Sequence, residues 1–356
     1  MINAVSHGGA AFLNDRKATD MADLKILALI TARSGSKSVV NKNIRKINGK
    51  PMMAYSIEHA QASAYINRII VSTDSEEYAA IAREYGAETP FIRPAEYATD
   101  TALDIDVFKH ALSFLKEEEG YVPDIIVHLR PTYPYRDPAD IDTMIKMMMD
   151  DETVDSVRSV KKNEVVPHKM WYLKEDGTLD SLMKDIPEAY NMPRQALPAT
   201  YIQNGNVDLL RPRAVTEYNS MTGKNIKGFE MKEMYDVDTE ADFSRVSDLM
   251  KIMGGGQQFV FDIDGVIAMK REDLDYGQAG PNERMIKIVN QLYDWGNRIV
   301  LFTARGYVTG IDWRPVTEQQ MKDWGVKYHE LHMGKPNADY YVDDKMLSLE
   351  FLYREF

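Results

Sequence analysis

Apolar residues along this chain gather in short, nearly unbroken runs separated by stretches of helical spacing. Residues 24–31 (LKILALIT) form the first run, and 68–72 (RIIVS) and 125–129 (IIVHL) repeat it. Runs this short and this apolar predict strands buried on both faces. Between and around them, 52–62, 78–85 and 105–119 carry apolar positions at helical intervals. That alternation predicts a parallel sheet with helices on both faces. The pattern weakens over 155–231, where prolines and Asn-Gly signals interrupt it, and part of this segment reads as an excursion from the sheet. A helix over 243–253 closes the series.

Gly254-Gly255-Gly256 then break the periodicity. Three consecutive glycines cannot continue a helix cheaply and supply a flexible joint. A fresh apolar run, 259–263 (FVFDI), starts a second alternation: helix 283–295, strand 298–302, helix 317–324, strand 340–342. The chain therefore reads as α/β with two domains, each a mostly parallel Rossmann-like sheet flanked by helices. Residues 24–253 form the first, 254–258 a Gly-rich linker and 259–356 the second. Residues 1–23 are mixed and polar and read as a disordered leader. The connection from Asp264 to the helix at 283 is too short for a cap domain, so 269–281 is expected to form a small flap over an uncapped site.

Composition narrows the classes. A chain of 356 residues exceeds one ordinary core. Its net charge of -12 disfavours nonspecific nucleic-acid binding. No apolar run is long enough to span a bilayer. The absence of cysteine removes disulfides and thiolate chemistry and suits a reducing cytoplasm.

The candidate chemistry sits at strand ends. Asp262 and Asp264 lie two residues apart where a strand finishes, the mouth at which open α/β sheets bind ligands. One carboxylate can attack phosphorus; the other can protonate the leaving oxygen and later activate water. Thr303 ends the next strand (LFTARG), where its hydroxyl can hold a phosphate oxygen. Lys335, in Gly334-Lys335-Pro336, can neutralise phosphate and nucleophile together. Asp343 and Asp344 end YYVDD and can complete a hard oxygen site for magnesium. In order and residue type this half resembles the haloacid dehalogenase superfamily, and its small phosphatases in particular. The resemblance implies Asp262 as nucleophile and metal ligand, Asp264 as acid/base, Thr303 and Lys335 as phosphate binders, and Asp343 as metal ligand with Asp344 a second candidate.

In the first half, Ala32-Arg33-Ser34-Gly35-Ser36-Lys37 follows the first strand and Lys42-Asn43-Ile44 ends the loop. Small residues let the backbone approach phosphates, while Arg33, Lys37 and Lys42 bring charge. The spacing is not that of a P-loop. Asp236 and Asp238 form an Asp-x-Asp pair, read as a strand-end site for a hard metal. The loop, together with Gly49-Lys50-Pro51-Met52, Ser72-Thr73-Asp74, Arg93-Pro94, Arg130-Pro131-Thr132-Tyr133-Pro134-Tyr135-Arg136, Arg194-Gln195, Asn204-Gly205 and Asp236-Val237-Asp238, resembles the CMP-sialic acid synthetase family of cytidylyltransferases. That resemblance runs over about 24–249.

It implies that the anomeric hydroxyl of an acidic sugar attacks the α-phosphate of CTP and pyrophosphate leaves. By the same resemblance Arg33 and Lys42 carry catalysis. Arg33, Ser36, Lys37, Lys42, Asn43 and Arg93 contact CTP, and Arg130, Arg194 and Gln195 lie near the acceptor. Asp236 and Asp238 hold Mg2+, so both domains are expected to use that ion. Arg130 replaces the family's usual Gln and suggests an acceptor with an added phosphate or a differently placed carboxylate. His168 reads as structural or substrate-lining. Family members are usually dimers, so a homodimer or homotetramer is expected. The whole reads as a bifunctional enzyme of surface-glycan biosynthesis. It would release phosphate from a sugar phosphate and attach CMP to an acidic, sialic-acid-like sugar. In a rival reading the transferase acts on a phosphorylated or phosphonate acceptor, and the second domain is an assembly module or acts on another metabolite.

Overall fold

The computed structural model describes residues 24–231, 235–270, 275–338, 341 and 345–356. The leader (1–23), part of the expected flap (271–274), and residues 340 and 342 of the expected strand with Asp343 and Asp344 lie outside these. The chain divides into two compact units, one ending at Phe243 and the other running Ser244–Phe356.

The first unit begins with β1 (Ile26–Thr31), a loop carrying a short helical turn (Lys42–Ile44), and the ribbon β2 (Lys46–Ile47) and β3 (Lys50–Pro51). Then come α1 (Met52–Ala62), β4 (Arg68–Ser72), α2 (Glu76–Glu84), α3 (Asp104–Glu119), β5 (Ile125–Leu129) and α4 (Pro138–Met149). After these follow β6 (Ser156–Lys162), the hairpin β7 (Trp171–Leu173) and β8 (Leu179–Ser181), β9 (Tyr201–Leu210), α5 (Pro212–Thr216) and β10 (Ile226–Glu230). A further helix, α6 (Glu240–Met253), follows. Six strands form one sheet in the order β10-β6-β9-β5-β1-β4. Five run parallel, and β9 runs antiparallel to both its neighbours.

Period-2 alternation divides β1 between two cores. Ile26, Ala28 and Ile30 pack with Met53 and Ile57 of α1 and Met144 and Met148 of α4. Leu27 and Leu29 pack on the other face with Phe108, Ala111 and Leu115 of α3. Both faces are thus covered, as the unbroken apolar run predicts. Met148 is fully buried and Met147 and Met149 pack against the same core, so the methionine run is helix packing. Helix α2 starts earlier than its apolar period because the Ser75 side chain accepts from Tyr78 N at 3.4 Å.

One expectation is met and one is corrected. Part of 155–231 does leave the main sheet, since the β7–β8 hairpin forms a sheet of its own, while the rest supplies β6, β9 and β10. Asp236 and Asp238 do not end a strand; they lie in an unpaired stretch just before α6.

The second unit holds β11 (Gln258–Phe261), α7 (Glu283–Asp294), β12 (Arg298–Thr303), α8 (Arg314–Asp323), β13 (Glu330–Met333) and α9 (Leu349–Glu355). Among the described residues its sheet is parallel, in the order β11-β12-β13. Strand β11 is shorter and less buried than the sequence suggests, with Val260 58% exposed. Ile286, Val289 and Leu292 of α7 close one core with Ile263, Ile299, Leu301 and Met321. The described ends of the expected flap meet where Met269 N donates to Gly280 O at 2.9 Å.

Candidate functional site

In the first unit the parallel strands deliver their C-terminal loops to one cavity of about 510 Å³. Arg33, Ser36, Lys37, Lys42 and Asn43 line it from the loop after β1. Arg93 and the segment 97–104 line it after β4, and Arg130, Pro131 and Thr132 after β5. Asp238 completes the wall. Five of these side chains are cationic, against the carboxylates of Asp100, Asp104 and Asp238. The excess of positive charge fits a polyanionic ligand.

Local bonds fix the loop. Ser34 donates to Asp74 through its amide at 2.7 Å and its hydroxyl at 2.6 Å. Asn43 donates to Arg33 O at 2.9 Å. Lys42, with only 12% of its side chain exposed, donates to Val237 O at 2.9 Å and Asp238 Oδ1 at 3.1 Å. Arg33 and Lys37 converge on Asp100, at 2.8 and 2.5 Å. That carboxylate therefore compensates both cations. Arg93 is buried, bonded to Ser72 and Thr73; burial pushes its pKa down to about 10, which leaves it charged at neutral pH.

Arg130 enters the cavity already compensated. It donates to Asp208 at 2.7 Å, to Asp104 at 3.0 Å and to Gly205 O at 2.9 Å. Asp208 is fully buried and also pairs with Arg158 at 2.6 Å. Gly205 has φ +71°, and a Cβ there would come 3.2 Å from Arg130 Nη1. Only glycine allows this approach without strain. Arg130 is therefore part of an ion-pair network, and its charge is shared between Asp208 and Asp104 where it lines the cavity. Arg194 and Gln195 lie exposed on a short helical turn and are not among the cavity's lining residues. His168 is buried, meets Asp185 at 3.3 Å and is not among the cavity's lining residues.

Asp236 is held from the segment after β5. Val237 N donates to Thr132 O at 2.9 Å, and the Tyr133 hydroxyl reaches Asp236 Oδ2 at 2.9 Å. Burial and the neighbouring Asp238 raise the Asp236 pKa, against the Tyr133 hydroxyl bonded to Oδ2 and the polar Thr132 side chain nearby. Its Oδ1 is buried without a hydrogen-bond partner. An unsatisfied buried carboxylate oxygen beside a second carboxylate fits a hard divalent cation. No cluster of three or more candidate ligands occurs among the described residues.

In the second unit Lys335 donates to Asp262 Oδ2, and Ile263 N donates to Asp262 Oδ1 at 2.7 Å. Lys335 N also donates to Thr303 O at 3.0 Å, which seats the lysine against the end of β12. Asp264 receives Arg305 through Nη2 at 2.7 Å and Nε at 2.9 Å, while Thr303 Oγ1 stands 3.5 Å away. Arg305 is buried and donates also to Thr317 at 3.1 Å and Gln320 at 2.7 Å on α8. Of the expected set, Asp262, Asp264, Thr303 and Lys335 are brought together, and Asp343 and Asp344 lie outside the described residues. Sequence reading missed Arg305, as it missed Asp100, Asp104 and Asp208. Arg305 stands two residues after Thr303 in a motif already singled out, whereas the aspartates carry no local signal.

The cytidylyltransferase family profile matches residues 27–264. The chain is 35% identical over 231 residues to "Post-translational flagellin modification protein B" of Campylobacter coli, covering 64% of this chain and 95% of that one. It is 33% identical over 232 residues to "CMP-N,N'-diacetyllegionaminic acid synthase" of Campylobacter jejuni, covering 64% and 96%. Against "N-acylneuraminate cytidylyltransferase" of Escherichia coli it is 34% identical over 221 residues, 62% of this chain and half of that one.

Proposed function

Because the chain belongs to the cytidylyltransferase family, we propose that its first unit transfers CMP from CTP to an acidic nonulosonate sugar. The sugar's anomeric oxygen forms a bond to the α-phosphorus, the bond from that phosphorus to the bridging oxygen breaks, and pyrophosphate leaves with the electron pair. The hydroxyl proton is lost to solvent or a nearby base. The names of the relatives support the acceptor class. The observation that carries the reading is the cationic cavity, where Arg33, Lys37 and Lys42 gather on one loop at the strand ends. Positioning and charge compensation supply catalysis of this kind. The triphosphate would exchange places with Asp100 on Arg33 and Lys37. Mg2+ fits beside Asp236 and Asp238, the remaining coordination being left to water and phosphate oxygens. When bound, it would neutralise charge on the leaving pyrophosphate. Thermal shift with magnesium tests nucleotide choice: CTP should raise the melting temperature more than ATP, GTP or UTP. Equal shifts with all four would remove the assignment.

The second unit has its own reading, favoured by the seating of Lys335 on Asp262 and of Arg305 on Asp264. We propose a magnesium-dependent phosphatase acting on a sugar phosphate, with Asp262 as nucleophile. Its carboxylate forms a bond to phosphorus as the ester oxygen leaves, protonated through Asp264; water then hydrolyses the aspartyl phosphate. Lys335 offsets the repulsion between two anions at contact distance. Phosphate release from a panel of phosphate esters tests it. Asp262→Asn should abolish release and leave CTP-dependent transfer intact; wild-type release in that variant would refute the assignment. If the wild type itself cleaves no ester, the alternative role of this unit as an assembly module is the one that stands.

We further propose a homodimer or homotetramer. The β7–β8 hairpin exposes Trp171, Tyr172, Leu173 and Leu179, with Tyr201 and Ile202 also exposed on β9. Exposed apolar side chains in such number mark a contact surface. Among the described residues no helix is long and apolar enough to cross a membrane. A cytoplasmic location remains part of the proposal.

A further inference from the structure

Tyr133 is buried, and its ring lies beside Arg136, 5.8 Å from ring centre to guanidinium carbon. Its hydroxyl stands within hydrogen-bond reach of two acceptors, Asn204 O on β9 and Asp236 Oδ2 at 2.9 Å. A phenol has one proton, so it donates to one of these at a time. Asp236 Oδ2 is met by this hydroxyl, from the segment after β5. The other oxygen, Oδ1, is buried and has no hydrogen-bond partner. Leaving a carboxylate oxygen buried and unpaired is costly unless a cation meets it.

We infer that Tyr133 is a positioning residue for the divalent cation of the transferase: its hydroxyl fixes Asp236 Oδ2 and thereby presents Oδ1 to Mg2+. The inference rests on the reading of unit one as a magnesium-dependent CTP enzyme. The hydroxyl proton serves Asp236 with and without the ion, and the neighbouring backbone bond from Val237 N to Thr132 O keeps the two segments in register.

The experiment uses the full chain with CTP and no acceptor, so that no turnover occurs. The melting temperature is followed with CTP alone and then with rising Mg2+, in wild type, Tyr133→Phe, Asp236→Asn and the double variant. The wild type should show a shift with CTP and a further increment with Mg2+. Tyr133→Phe should keep the metal-free CTP shift while its half-saturating Mg2+ concentration rises on the order of tenfold, as when a metal ligand loses its supporting hydrogen bond. If Tyr133 acts through Asp236, the double variant should respond to Mg2+ as Asp236→Asn does alone. A wild-type Mg2+ response in Tyr133→Phe overturns the inference. So does loss of the metal-free CTP shift in that variant, or of its far-ultraviolet circular dichroism, because the tyrosine is then a structural strut. Independent additive losses in the double variant overturn it too. A wild type with a CTP shift but no magnesium increment removes the metal reading and this inference with it, while a wild type that does not respond to CTP removes the transferase reading itself.

Discussion

At Arg130 a substitution separates two roles that sequence alone could not. The guanidinium bridges Asp104 and the buried Asp208, and Asp208 has Arg158 as its second cation. Arg130→Gln should therefore destabilise the first unit, by about 1–3 kcal/mol, since it leaves a buried carboxylate with one charged partner fewer. Urea unfolding measures this; no loss of stability would mean that the network carries nothing. Arg305→Ala should cost more, about 3–5 kcal/mol in the second unit, because Asp264 and Gln320 would lose a buried partner. The loop residues Arg33, Lys37, Lys42 and Asn43 were legible because small residues and charge cluster in sequence. Asp100, Asp208 and Arg305 were not, because each is defined by a partner distant in the chain. Asp208, on β9, meets its cations only across the sheet.

Elements were legible where one force dominated. In β1, β4 and β5 burial on both faces leaves an apolar run, and the runs and strands coincide within two residues. Strand β9 escaped because it reads YIQNGNVDLL: Asn204, Asn206 and Asp208 face a polar network and Gly205 makes room for Arg130. A strand that lines a functional wall loses the apolar pattern that announces strands. Element packing also sets an acid response. His59 on α1 is held neutral, its pKa lowered to about 3 by burial and by Arg136 and Lys50. Burial lowers His128 on β5 in the same direction. The unfolded chain takes up these protons below about pH 6.5 and the folded chain does not. Stability therefore falls as pH drops through that window towards 3, by about 1.4 kcal/mol per pH unit for each such histidine. His59→Gln should flatten the slope; an unchanged slope in acid unfolding would exclude this histidine as a source.

Across the whole molecule, two α/β units each carry acidic and cationic residues at the ends of parallel strands. If the units work independently, Asp236→Ala should end pyrophosphate release and spare phosphate release, and Asp262→Asn should do the reverse. Loss of both activities in a folded single variant would show that the sites are coupled. Assembly is tested at the exposed hairpin: Leu173→Asp should shift the mass seen by light scattering from a dimer or tetramer towards the monomer. A monomeric wild type with full activity would contradict the proposed assembly.

The central claim is that this chain makes a CMP-sugar from CTP and an acidic nonulosonate. Purified protein, CTP and Mg2+ are incubated with a panel of nonulosonates, ketodeoxy-octonate-like sugars and their phosphates. Pyrophosphate is measured by release and the sugar product by mass. The account predicts pyrophosphate and a CMP-sugar in equal amounts with at least one acidic nonulosonate, and neither when ATP, GTP or UTP replaces CTP. Equal turnover with all four nucleotides, or no product from any acidic acceptor in a protein that binds CTP, would contradict it.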